Sequence, residues 1–262
     1  MARKSLARKF RPSKMGRKWT QDDVLAYNIT VVYEDLTTFF GVTDLPSPDV
    51  EIGALISQDA ASAKSYRATY IMLRQMSDLM NPDEDPVNRV PNTIDFVKGL
   101  FDVIYYADVL KKRFTMRPKL NYMESQGRPP LLDICIRDDS KAILLVVKVD
   151  SHSRGFDPEP RLISDAIGAF HQDNVMRAKR LGTNALPSKI MPGIVMDGTM
   201  PTFYKIPITA ELVRAVAAGE RPEQETIIHA YRPEVPRPEE GMKPLDNRHI
   251  ILSCFSSFRQ FL

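Results

Sequence analysis

Residues 129–150 read PPLLDICIRDDSKAILLVVKVD, and this stretch constrains the fold more than any other. Two apolar runs, the second rich in β-branched residues, flank the polar turn Arg137-Asp138-Asp139-Ser140, the pattern of a hairpin of two short buried strands over 131–137 and 142–149. Side chains alternate between the faces of a strand. Lys148 and Asp150 therefore share a face, opposite Val147 and Val149, and Asp133 is an acid inside the first apolar run. A chain that buries such runs and still places charges in them is building a sheet with a polar spot on one face.

The rest of the sequence surrounds that hairpin with helices. Thr20-Gln21-Asp22-Asp23 reads as a capping box opening a helix near Asp22, and the segment that follows, to residue 40, mixes helical and strand-like character. Residues 57–79 read as a helix, stopped by the acidic, proline-bearing run 81–86. A new unit starts near Pro91, where Asn92 or Thr93 caps a helix with the stripe Ile94, Val97, Phe101 and Ile104. A strand over 114–122 precedes the hairpin.

Asp157-Pro158-Glu159-Pro160 is a helix start. The helix running to about Leu181 has Ile163, Ile167, Phe170 and Asn174 on one face. A second hairpin, 194–196 with 202–208, turns at Asp197-Gly198. A short helix from Thr209 to Gly219, a strand over 226–231, a proline-rich loop over 232–244 and a terminal helix over 249–262 complete the chain. The expected fold is α/β (α+β), with a mixed central sheet flanked by helices. The expected organisation is a basic flexible arm at 1–18, a helical N-terminal region at 19–90 and an α/β domain at 91–262.

Charge is distributed unevenly. The net charge is +3, yet Arg3, Lys4, Arg8, Lys9, Arg11, Lys14, Arg17 and Lys18 all precede the first acid, leaving a mildly acidic body. Such an arm suits a nucleic-acid contact, a nuclear-import signal, a mitochondrial presequence or a solvated tail. Two cysteines, Cys135 and Cys254, argue against a disulfide framework, and no apolar run reaches membrane-spanning length. The expected location is intracellular, in nucleus or cytoplasm with the mitochondrion left open, and no membrane partner is expected.

The order helix, three strands, helix, two strands, with Asp133 on the second strand and Lys148 on the third, resembles the PD-(D/E)xK nuclease superfamily over roughly residues 92–208. Over most of its length the chain is also similar to uncharacterised fungal proteins of that type, through LLVVKVD, DPEPRLISDAIGAFHQDN, FYKI and CFSSFRQF. The resemblance implies a restriction-endonuclease-like core with a helical N-terminal extension. It also implies Asp133, Lys148, Asp150 and Gln172 as catalytic positions, with Asp133 and Asp150 as ligands of Mg²⁺ or Mn²⁺ if the chain is active.

The third strand departs from the expected Glu-x-Lys. Either Val146 stands for the Glu, or Lys148 does and Asp150 replaces the Lys; strand parity does not choose. Loss of the carboxylate removes a metal ligand, and a Lys148 ion pair with Asp133 or Asp150 neutralises the site without metal. The expected function is a nuclease-like protein with a degenerate motif, binding nucleic acid through its arm or binding a protein partner. An active metal-dependent DNase, and an assembly protein docking through its N-terminal region, are the alternatives. Asp95 or Asp102 would be an extra acid on the preceding helix, or a plain solvated one. The four histidines show no metal-ligand spacing.

Overall fold

The computed structural model describes residues 18–50, 53–59, 67–81, 83, 85–106, 112–116, 132–150 and 157–262. The arm residues Arg3, Lys4, Arg8, Lys9, Arg11, Lys14 and Arg17 lie outside the described residues, as does most of the 114–122 strand; Lys18 is described and exposed.

In chain order the elements are α1 (Gln21–Ala26), β1 (Ile29–Tyr33), α2 (Leu36–Phe40), α3 (Arg67–Leu79), α4 (Pro86–Val103), β2 (Lys112–Met116), β3 (Ile134–Asp138), β4 (Ile143–Val149), α5 (Pro158–Met176), β5 (Ser188–Asp197), β6 (Met200–Thr209), α6 (Ala210–Ala218), β7 (Thr226–Tyr231) and α7 (Leu245–Phe258). The described strands form one mixed sheet of seven, in the order β1-β7-β6-β5-β4-β3-β2. The pairs β4/β5 and β1/β7 are parallel and the others antiparallel. This is an α/β architecture with helices on both faces of a mixed sheet.

The local chemistry explains the elements. The Thr20 N–H donates to the Asp23 carboxylate at 2.9 Å, as the capping box requires. Asp157 caps α5 by accepting the Glu159 N–H at 3.0 Å, with Pro158 at the first helical position, where its missing N–H costs nothing. Thr209 caps α6, which ends at Gly219 in the left-handed region at φ +68°. The second hairpin pairs Asp197 with Met200, so its turn is Gly198-Thr199, one residue later than expected, with Gly198 at φ +55°.

Two expectations need correction. The region 19–90 is not a helical extension: β1 joins the sheet as an edge strand, and its partner β7 lies almost two hundred residues away in the chain. Nor does a unit begin at Pro91. Helix α4 starts at Pro86, where Asp85 accepts the Val87 N–H at 2.9 Å, and Pro91 sits inside it. The proline is tolerated because the carbonyl it leaves unbonded belongs to Val87, which is 79% exposed and open to water.

Two cores sandwich the sheet. On one face α3, α4 and α7 pack against Ile134, Leu145, Val147, Ile194 and Phe203, with a chain of aromatic contacts through Phe101, Tyr106, Phe255 and Phe258. On the other α1, α5 and α6 cover Cys135, Val146, Val195, Tyr204 and Ile206. Strand β4 lies near the middle of the sheet, with all but Leu144 of its seven residues buried, so a charge on it must find a partner inside the protein.

Candidate functional site

Lys148 lies near the carboxyl end of β4, with its side chain on the α5 face by the same parity that places Val146 there. It is 9% exposed. Its ammonium sits 3.1 Å from Oδ2 of Asp133 and 3.5 Å from Oδ2 of Asp165. Asp133 directly precedes β3, and the same Oδ2 accepts the backbone N–H of Val149 at 3.1 Å, which locks the acid against β4. Asp165 comes from α5, seven residues after the Pro158 start, and is 4% exposed. Strand, strand approach and helix thus deliver one cation and two carboxylates to one place.

The electrostatics follow from burial. Burial alone would depress the Lys148 ammonium, but Asp165 and Asp133 outweigh it and hold its pKa above the ordinary value. Burial pushes the Asp165 carboxyl up to about 6, against the opposing pull of Lys148. Arg161, one turn before Asp165 on the same helix, adds a second positive charge that favours ionised Asp165.

The other sequence-derived site residues are placed as follows. Asp150 immediately follows β4, half-buried, and its N–H donates to the Met196 carbonyl at 2.8 Å. Among the described residues, the ion pairs of Lys148 are with Asp133 and Asp165, and Asp165 is the one that the sequence reading missed. Gln172 is not beside them. It lies seven residues beyond Asp165, about 10 Å along the axis of α5. Its neighbour Asp173 accepts the Ile143 N–H at 3.0 Å, at the opposite end of β4. Asp95 and Asp102 are exposed on α4, which packs on the far face of the sheet, so neither reaches Lys148.

A second polar cluster lies on the same face. Glu159, in the first turn of α5, accepts the hydroxyls of Tyr33 at 2.9 Å and Tyr204 at 3.0 Å. Burial raises the Glu159 carboxyl and pushes Tyr33 up to about 12. This cluster fastens edge strand β1 to α5 and β6. Around the edge, His229 pairs with Glu34, and the described residues hold no group of three or more His, Cys, Asp or Glu side chains able to take a metal.

A Mg²⁺ or Mn²⁺ ion needs about six oxygen ligands, near-octahedral for Mg²⁺. Here the converging carboxylates aim their oxygens at an ammonium, and one of those oxygens also serves a backbone N–H. As arranged, the residues do not fit such an ion.

No family model matches the chain, and no curated protein matches it either. No helix among the described residues is long and apolar enough to cross a membrane.

Proposed function

We propose that this chain is a nuclease-like module of the PD-(D/E)xK type whose catalytic motif has decayed, and that it binds nucleic acid rather than cleaving it. The observation that carries this reading is the Lys148 ammonium held between Asp133 and Asp165. The element order supports the scaffold: α4, then the antiparallel β2-β3-β4, then α5 leading to β5 parallel to β4. The site sits at the carboxyl end of β4, beside its parallel partner, where open α/β sheets place their ligands. Charge supports the binding role. The eight cations at 3–18 precede any acid, and such a segment gains affinity for phosphates by releasing counterions.

The alternative reading is a metal-dependent DNase. One observation favours it: two carboxylates and a lysine converge, an inventory that suits metal-assisted phosphodiester hydrolysis once the lysine turns aside. One experiment separates the readings. The full chain is incubated with duplex and single-stranded DNA and with RNA, in Mg²⁺ and in Mn²⁺, while binding is followed by fluorescence anisotropy. Binding without cleavage is expected. Cleavage that Asp133→Ala abolishes would establish the enzyme, and the absence of any binding at low salt would turn the reading to a protein partner.

A further inference from the structure

We propose that the outer edge of β1 is an interaction surface for a second copy of this chain, which adds its own β1 antiparallel across a two-fold axis at Val31. β1 ends the sheet, and among the described residues no strand lies on its outer side. The ladder to β7 fixes which backbone groups point outward. The Thr226 N–H donates to the Asn28 carbonyl at 2.9 Å and the Glu34 N–H donates to the Ala230 carbonyl at 2.8 Å, so the even-numbered residues from Asn28 to Glu34 turn their backbone groups to β7. The N–H and C=O groups of Ile29, Val31 and Tyr33 therefore point to the outer edge. The flanking helices lie over the faces of the sheet and not along this edge. Val24 of α1 belongs to the core on one face, and Phe39 and Phe40 of α2 belong to the core on the other.

This edge lacks the devices that keep strands of different molecules apart. Residues 28–33 include no charge, proline or glycine, and their register with β7 runs without a bulge. The strand at the opposite edge, β2, carries Lys112 and Arg113. Val32, Tyr33 and Ile227, the last on neighbouring β7, are 40%, 58% and 44% exposed, so apolar surface gathers at the β1 edge. The strand is also held ready. Glu159 accepts the Tyr33 hydroxyl and Arg221 donates to the Asn28 side-chain carbonyl, so little further ordering opposes association. A second copy suits the edge better than an unrelated peptide because the pattern is its own complement. With Val31 on the axis, Val31 meets Val31 and Ile29 meets Tyr33, each pair joining residues whose backbone groups point outward. Thr30 meets Val32 between them, and Glu34 falls opposite Asn28 instead of another acid. One sheet then runs through both chains, and the isologous contact closes at two copies. The inference holds whether or not the chain binds nucleic acid.

The test is sedimentation velocity on the full chain, freed of nucleic acid, over a concentration series. The wild type is expected to move towards the mass of two chains as concentration rises. A chain that stays monomeric up to about 100 μM overturns the inference, as does assembly that continues past two copies. Two double variants then test the register at exposed positions, Thr30→Lys with Val32→Lys and Thr30→Glu with Val32→Glu. Because Thr30 faces Val32 across the axis, each variant sets like charges opposite one another, and its dissociation constant is expected to rise at least about tenfold. An equimolar mixture of the two should dimerise again, since lysines then face glutamates. Undiminished dimerisation of either variant alone, or a mixture that stays monomeric, overturns the inference. If the charged variants do not fold, Val31→Cys decides. A hydrogen-bonded antiparallel pair sets its Cα atoms about 5.5 Å apart, within disulfide reach, so mild oxidation should link two chains through residue 31. Tyr33→Cys, which faces Ile29 and not its own copy, should not crosslink. Val31→Cys that remains unlinked overturns the inference.

Discussion

Lys148 of β4 and Asp165 of α5 meet at 3.5 Å across a strand–helix interface, with both residues almost fully buried. The contact is the point at which the middle of the sheet is joined electrostatically to the helix that covers it, and Asp133 extends it to the approach of β3. A buried ion pair adds little net stability compared with a well-packed apolar pair, because desolvation offsets the attraction. Removing one partner is a different matter, since it leaves a charge with no water and no counter-ion.

Lys148→Ala is therefore expected to destabilise the fold by about 3–5 kcal/mol, the range for breaking a buried pair from one side. Urea unfolding followed by circular dichroism measures it. A loss below about 1 kcal/mol, typical of an exposed pair, would mean that the cluster is open to water in solution.

Stability should also depend on pH through Asp165 and Asp173. Burial is the main reason that each carboxyl is raised to about 6 in the folded protein, from an ordinary value near 4. Between those values the native state binds more protons than the unfolded chain, so each group's contribution is fully present below about pH 4 and is lost as pH rises through about 6. Asp165→Asn should flatten that downward slope in a series of urea melts from pH 4 to 7. An unchanged slope would show that Asp165 titrates as an ordinary surface acid.

At the other end of β4, Asp173 accepts the Ile143 N–H and faces Lys189 at 3.7 Å, while Lys189 donates to the Ile143 carbonyl at 2.6 Å. Asp173→Ala leaves a buried backbone donor without its acceptor, and a loss of about 1–3 kcal/mol is expected. The ammonium of Lys148, followed by nitrogen-detected NMR, should not respond to this change, because the two clusters occupy opposite ends of the strand. A shifted Lys148 resonance would mean that α5 couples them.

Much of this fold could be read from short patterns. Asp157-Pro158, Thr209 with Gly219, and the 226–231 strand each carry their own start and stop signals, and the structure places elements there. The misses have different causes, and the pairing of β1 is the one that rests on a contact distant in sequence. Residues 29–33 fall in the segment read as mixing helical and strand-like character, and nothing local ties them to Thr226–Tyr231. Asp165 escaped notice because the expected apolar stripe of α5 ran through Ile163, Ile167 and Phe170. The helix in fact buries a second stripe, through Leu162, Ala166 and Ala169, and Asp165 lies three residues after Leu162 and four before Ala169. An acid set within LISDAIGAF, a run that is otherwise almost wholly apolar, was the available signal. Gln172 is expected at the site only through the resemblance, as a glutamine on the helix after the lysine-bearing strand, whereas helix rise carries it about 10 Å away from Asp165.

The arm supplies the last prediction. Its eight cations lie within 3–18, and the body that follows is mildly acidic, so electrostatic attraction to phosphates should come from the arm. Binding driven by counterion release falls linearly in log affinity with log salt, with a slope of about 0.9 per phosphate neutralised on a duplex, and depends little on base sequence. Deleting residues 1–18 should therefore reduce both the affinity for a duplex and the salt slope, while Lys148→Gln in the full chain changes neither. Fluorescence anisotropy over a salt series, with one mixed-sequence duplex and one homopolymeric duplex, measures both quantities. If the truncated chain binds as tightly and with the same slope, the body holds the contact and the carboxyl end of β4 is the next place to search. If the truncated chain loses the slope but keeps a preference between the two duplexes, base readout resides in the folded domain and phosphate attraction in the arm.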